Sequence, residues 1–167
     1  PINLGQGAAL QTGITYALQR GASIIVTFDS DGQHAVDDIP VLCRALTGGA
    51  DVALGSRFLG STIRMPPLRK LVLKAAIFYQ HLTSGLKLTD AHCGLRAMTA
   101  AAARSISIRE NRMAHASELI EQFANLKLRI VEVPVTITYS DYSLAKGQSS
   151  LNAITIVLQL FVNRFRK

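Results

Sequence analysis

The chain has 167 residues, a formal charge of +7, 49% apolar residues, no Trp and only five Pro. That length suits one domain, and so large an apolar fraction builds a proper core, which excludes disordered and low-complexity classes. The basic excess gathers at Arg64–Lys74 and in the tail Arg164–Lys167; with no interleaved aromatics and no nucleic-acid-binding motif, it suits an anionic membrane surface or phosphorylated ligands better than nucleic acid.

In chain order, Leu4–Arg20 reads as a loop feeding a helix whose apolar face carries Ala8, Ala9, Ile14, Ala17 and Leu18, with Gly21 as its stop. Ile24–Phe28 is a short apolar run with β-branched residues, which predicts a buried parallel strand. Asp37 or Asp38 can cap a helix with Ile39, Leu42, Cys43 and Leu46 facing inward. Asp51–Leu54 reads as a second strand ending in Gly55-Ser56-Arg57. Pro66 and Pro67 open a long helix to about Thr83. Thr89–Met98 is too irregular for a helix. Ala100–Ile106 and His115–Asn125 read as helices, and Leu128–Tyr139 as extended chain with Pro134 marking an edge or a bend. A last helix is expected over Leu151–Phe165. The two cysteines, Cys43 and Cys93, fit no metal spacing, and a reducing compartment is the default.

Strand and helix alternate through the first half, which predicts an α/β domain with a mostly parallel sheet flanked by helices, Rossmann-like in type. In such sheets ligands bind outside the carboxyl ends of the strands. Asp29 and Asp31 lie at one such end, in "IIVTFDSDGQH", and Gly55-Ser56-Arg57 at another. Two carboxylates one residue apart repel unless a cation sits between them. Mg²⁺ or Mn²⁺ takes oxygen ligands, often one or two carboxylates plus substrate phosphates. Gln33 can add a side-chain oxygen, and His34 is placed to order the loop. An EF-hand loop would carry its Gly later. A phosphatase of the haloacid dehalogenase type would need a later Lys and a distant acidic pair. An acidic turn with no ligand is the bland alternative.

The chain resembles the family 2 glycosyltransferases, in the polyprenyl-phosphate (dolichyl-phosphate mannosyltransferase-like) branch. "NLGQGAAL" looks like the loop before the motif strand and "FDSDGQH" like the metal-binding signature. "ADVALGSRF" looks like the next strand with its Gly-Ser-Arg element. "TDAHCGLRAM" resembles a Thr-Asp-x-x-x-Gly-Phe-Arg-Ala element with Leu95 in place of the usual Phe. "EVPVTITY" followed by "KGQSSLNAI" looks like the closing strands and the Gly-x-Ser segment. The family opens with a further strand and a Pro-x-Tyr-Asn-Glu-like segment, so the expectation is a catalytic domain over 1–150 without its first part, and a membrane-proximal helix over 151–167.

The resemblance implies an inverting, metal-dependent transfer from a UDP- or GDP-linked sugar to a polyprenyl phosphate at the cytoplasmic face of a membrane. Asp29, Asp31 and Gln33 would hold the divalent ion, which counters charge developing on the leaving diphosphate. Arg57 and Arg69 would grip phosphate with their planar donors. Asp90 would act as a base or orient the sugar or an arginine. Arg96 would pair with Asp90 or with phosphate, and Lys146 and Ser149 would close over the pyrophosphate. Lys70 and Lys74 read as surface or membrane contacts, and His81, His92 and His115 as structural or surface residues. A saccharide acceptor, which would require Asp90 as a true base, and a non-catalytic nucleotide-sugar-binding module are the competing expectations. The oligomeric state is open.

Overall fold

The computed structural model describes residues 2–111 and 114–141. The elements run α1 (Gln6–Gln19), β1 (Ile24–Thr27), α2 (Ile39–Thr47), β2 (Val52–Ile63), α3 (Pro67–Ser84), β3 (Arg96–Thr99), α4 (Ala100–Ser105), α5 (His115–Asn125) and β4 (Ile130–Thr138). The expected final helix at Leu151–Phe165 lies outside the described residues.

The strands form one sheet in the order β1-β3-β2-β4. β2 and β4 pair in parallel, with Val52 opposite Ile130. β3 lies between β1 and β2 and runs against both, with Thr27 and Leu54 each opposite Arg96. Three of the four strands therefore share one direction, as the alternation of elements implies. The sheet is nonetheless mixed, and β1 has an antiparallel neighbour rather than the expected parallel one. Loop 85–95 returns the chain to the end of the sheet where β1 and β2 finish, so β3 must start there and run backwards.

Both faces of the sheet are covered, which is why its strands read as continuous apolar runs. Successive residues alternate between two cores. Ile25, Val52, Leu54 and Met98 pack against Ile14 of α1, Ala102 and Ala103 of α4, and Leu119, Ile120 and Phe123 of α5. Ala53, Ala97, Val133, Val135 and Ile137 pack against Leu42 and Leu46 of α2. α3 packs against α5.

Local sequence explains most boundaries. At the end of α1 the Ala22 N–H donates to the Ala17 carbonyl across Gly21, whose φ of 80° a side chain would strain. Thr99 caps α4 by accepting the Ala102 N–H at 3.2 Å. Asp38 precedes α2 but makes no cap bond; its carboxylate accepts the Thr136 N–H at 2.8 Å instead. That bond covers the open edge of β4, the strand on which Pro134 sits. β2 is far longer than the expected Asp51–Leu54. It runs on through Arg57 to Ile63, and its register against β4 slips after Ser56, where five steps to Ser61 oppose two from Pro134 to Thr136. Such a bulge re-aims side chains beside a site, and Arg57 lies in it.

Phe123 is fully buried between α5 and the sheet. Phe123→Ala is expected to lower the unfolding free energy by about 3–5 kcal/mol, the range for a large core truncation, as measured by chemical denaturation.

Candidate active site

Four segments meet at the edge where β1 and β2 finish: the turn after β1, the bulge of β2, the loop 89–95 before β3, and the end of β4. The Thr27 hydroxyl donates to the Gly94 carbonyl at 2.7 Å, tying β1 to the loop. A Cβ at Gly94 would collide with the Asp29 carboxylate, so only glycine lets the loop lie against that side chain.

Asp29 is about one-third exposed, and both of its oxygens have protein partners. Oδ1 accepts from Gln6 Nε2 at 2.9 Å, and Oδ2 lies 3.5 Å from His34 Nε2. The His34 hydrogen bond is the main reason the carboxyl titrates below its ordinary range, against the opposing pull of partial burial. Asp31 accepts the Gln33 N–H at 3.0 Å through Oδ1, closing an Asx turn. The Gln33 carbonyl accepts the Thr138 N–H, which fastens the turn to β4. Gln33 is thus anchored through its backbone. Among the described residues no group of three or more His, Cys, Asp or Glu could hold a metal ion.

Arg57 and Asp90 form a buried ion pair. Arg57 donates to Asp90 Oδ2 from Nε at 2.5 Å and from its backbone N–H at 3.2 Å. Asp90 Oδ1 accepts the His92 N–H at 3.2 Å. Arg57 Nη1 donates to the Tyr139 hydroxyl at 2.9 Å. Burial works hardest against the Arg57 charge, but Asp90 together with Tyr139 and Cys93 more than offsets it, and the guanidinium pKa ends above its ordinary value. Arg69 of α3 places its guanidinium carbon 5.5 Å from the centre of the Tyr139 ring, a cation–π distance. The fully buried Tyr139 therefore lies between the two arginines singled out in the sequence.

Arg96 does not pair with Asp90, which corrects that one of the two partners expected for it. Its place in β3 points it into the interior, where Nε donates to the Cys93 carbonyl at 2.9 Å and burial pushes its pKa down. Arg57 takes the Asp90 carboxylate because the bulge brings both its Nε and its backbone N–H within reach. Lys146 and Ser149 lie outside the described residues. His92 and His115 are buried, as a structural role requires.

Three residues of this network carried no signal in the sequence. Gln6 reaches Asp29 from the first turn of α1. Tyr139 looks like the end of a strand. Glu132 looks like the solvent-facing member of an alternating strand, yet its carboxylate accepts from the Thr89 N–H, the Thr89 hydroxyl and the Asp90 N–H.

The sequence model described as glycosyl transferase family 2 matches residues 1–106. The chain is 35% identical to the UDP-N-acetylglucosamine–dolichyl-phosphate N-acetylglucosaminyltransferase of Methanococcus voltae, over 99% of this chain and 68% of that protein. It is 33% identical to an uncharacterised protein of Methanocaldococcus jannaschii, over 98% of this chain and 69% of that one. Its identity to the polyprenol monophosphomannose synthase of Mycolicibacterium smegmatis is 34%, over 87% of this chain and 57% of that protein.

His92 yields a pH signature. Burial, reinforced by the Arg96 charge, pushes its pKa down from 6.5 to about 4. The imidazole stays neutral in the fold while the unfolded chain takes up a proton, so its contribution is present above pH 6.5 and is lost as pH falls towards 4. Urea unfolding between those pH values is expected to show stability falling with acid by up to about 1.4 kcal/mol per pH unit from this one group. His92→Gln should flatten that part of the profile.

Proposed function

The chain belongs to the family 2 glycosyltransferases, and from that premise we propose that it moves a sugar from a UDP- or GDP-linked donor to a polyprenyl phosphate, inverting the anomeric carbon, with Mg²⁺ or Mn²⁺ as cofactor. The observation that carries the choice of acceptor is the state of Asp90. It is buried, Oδ2 takes two donors from Arg57, and Oδ1 takes the His92 N–H. That arrangement suits a carboxylate that orients an arginine and does not suit a general base, which must reach the proton it removes. A saccharide hydroxyl would need such a base. A phosphate monoester is already an anion and needs positioning and charge compensation.

Arg57 and Arg69 are the groups for that task. Arg57 is charged and held at two of its nitrogens, so its fork is pre-organised for an anion. Arg69 adds a second positive charge across the Tyr139 ring. An acceptor phosphate oxygen held there would attack the anomeric carbon from the face opposite the departing nucleoside diphosphate. The names of two relatives, one printing a dolichyl phosphate and the other a polyprenol monophosphomannose, support this choice.

The donor set at the turn fits a hard cation. Asp29 is kept ionised by His34, and Asp31 engages a protein donor through one oxygen. Two carboxylates with further positions left to substrate oxygens match the way Mg²⁺ is usually bound. A divalent ion there would neutralise charge growing on the leaving diphosphate. Asp31 would ligate it directly, with Asp29 completing the negative field and Gln33 assisting.

α3 supports work at a membrane surface, and the cytoplasmic face is the side we propose. It exposes Leu68, Leu71, Phe78 and Leu82 alongside Lys70 and Lys74, the mixture that favours the interface of an anionic bilayer. Among the described residues no helix is long and apolar enough to cross a membrane.

The protein is to be incubated with labelled UDP- or GDP-sugars, Mn²⁺ and a polyprenyl phosphate, then extracted with organic solvent. Label is expected in the organic phase; label that remains in water as intact donor overturns the lipid-phosphate acceptor. Asp31→Asn is expected to abolish Mn²⁺-dependent donor binding in equilibrium dialysis while leaving the circular dichroism spectrum unchanged. Retained Mn²⁺-dependent binding in that variant would remove Asp31 from the metal site.

A further inference from the structure

We propose that Glu132 is a positioning residue for the transfer, fixing the Asp90–Arg57 pair from β4; its link to catalysis rests on the function proposed above. Parallel register sets Glu132 beside Leu54, two residues before Ser56. From there its half-buried carboxylate reaches the loop before β3. Oε1 accepts the Thr89 N–H at 2.9 Å, the Thr89 hydroxyl at 2.7 Å and the Asp90 N–H at 2.9 Å, while Oε2 accepts the Thr89 N–H at 2.8 Å. Consecutive backbone N–H groups on one anchor leave the Asp90 Cα little freedom.

The hydroxyl contacts extend the same hold to Arg57. The Thr89 hydroxyl has one proton, and it goes to Glu132. The Ser56 hydroxyl, 2.6 Å from Thr89 Oγ1, must then donate to Thr89, and Ser56 Oγ in turn accepts the Leu59 N–H at 3.2 Å. Every donor in this series points toward Glu132, which as a carboxylate only accepts. Ser56 and Leu59 flank Arg57 in the β2 bulge. Glu132 thus pins Asp90 through its peptide N–H and Arg57 through the bulge that carries it. A glutamine keeps one acceptor oxygen for these donors, but its NH₂ then faces the Thr89 N–H in place of Oε2 and the negative charge is gone, so Glu132→Gln weakens the series with almost no change in volume.

The test is amide and side-chain hydrogen exchange by ¹H–¹⁵N NMR on the whole chain, wild type against Glu132→Gln. Exchange at the Thr89 and Asp90 amides and at the Arg57 Nε–H is expected to quicken about tenfold or more, the scale of a lost hydrogen bond to a charged group. The amides of Leu42 and Leu46 in the opposite core should not move. An Arg57 Nε–H that exchanges as in wild type overturns the proposal, because Glu132 would then be a strut for the loop alone. If Glu132→Gln also loosens the core amides, Thr89→Val, which cuts only the hydroxyl link, decides. It should still speed exchange at Arg57 Nε–H, and no change there overturns the proposal. The kinetic arm uses Glu132→Gln, Arg57→Lys and the double variant in the lipid-extraction assay. The double variant should match Arg57→Lys within about twofold, the non-additivity expected of residues acting as a unit; fully additive losses overturn the proposal. A wild-type protein that transfers no sugar sinks the proposed function, and the exchange arm then decides the role of Glu132 alone.

Discussion

The buried ion pair between Arg57 and Asp90 is the constraint around which the candidate site is organised. Taking both charges out of water costs several kcal/mol per ion, and close approach repays that only if the remaining donors and acceptors are also satisfied. Here they largely are: Asp90 takes three protein donors, and Arg57 passes a second nitrogen to Tyr139. A well-packed apolar pair could fill the same space at no loss of stability, so the pair is better understood as a means of holding a guanidinium in one orientation than as a device to hold the fold together. The residues that surround it, Glu132, Thr89, Ser56 and Tyr139, come from two strands and a loop that are distant in sequence.

What brings them together is the reversed strand. A purely parallel sheet would collect only strand exits at this edge. Because β3 runs against its neighbours, its approach loop also lies there, carrying Thr89, Asp90 and His92 beside the exits of β1 and β2. Gly94 then lets that loop lie against Asp29, so the pair of acidic residues after β1 and the ion pair beside β2 share one wall. The β2 bulge completes the arrangement by turning Arg57 back toward the loop.

Much of this was legible from the chain. Apolar runs gave β1 and β4, prolines gave the start of α3, and His115–Asn125 stands as read, because each depends on local periodicity or local chemistry. Asp29, Asp31 and Arg57 stood out because charged residues at the ends of apolar runs are rare without a task, and Asp90 stood out through the family resemblance of "TDAHCGLRAM". The long β2 and the direction of β3 were not legible, since "GSRFLGSTI" and "RAMT" form strands only against partners far away in sequence. Glu132 and Tyr139 were missed for a related reason. Alternation places a glutamate in a strand on the solvent side, and nothing local says that a distant loop will cover it.

The two aspartates, so alike in the sequence, end in different surroundings. Asp29 is braced on both oxygens by Gln6 and His34, and its charge is secured by the second of these. Asp31 sits in a turn whose geometry it helps to set, with one oxygen engaged by that turn. A neighbouring carboxylate raises a carboxyl's pKa, whereas a hydrogen-bonding histidine lowers it. Here the histidine relieves Asp29 directly, leaving Asp31 the freer of the two to face a ligand. On the proposed function this is a division of labour: one carboxylate maintains the negative field, the other meets the cation, and the arginines across the edge answer the opposite charge on the acceptor.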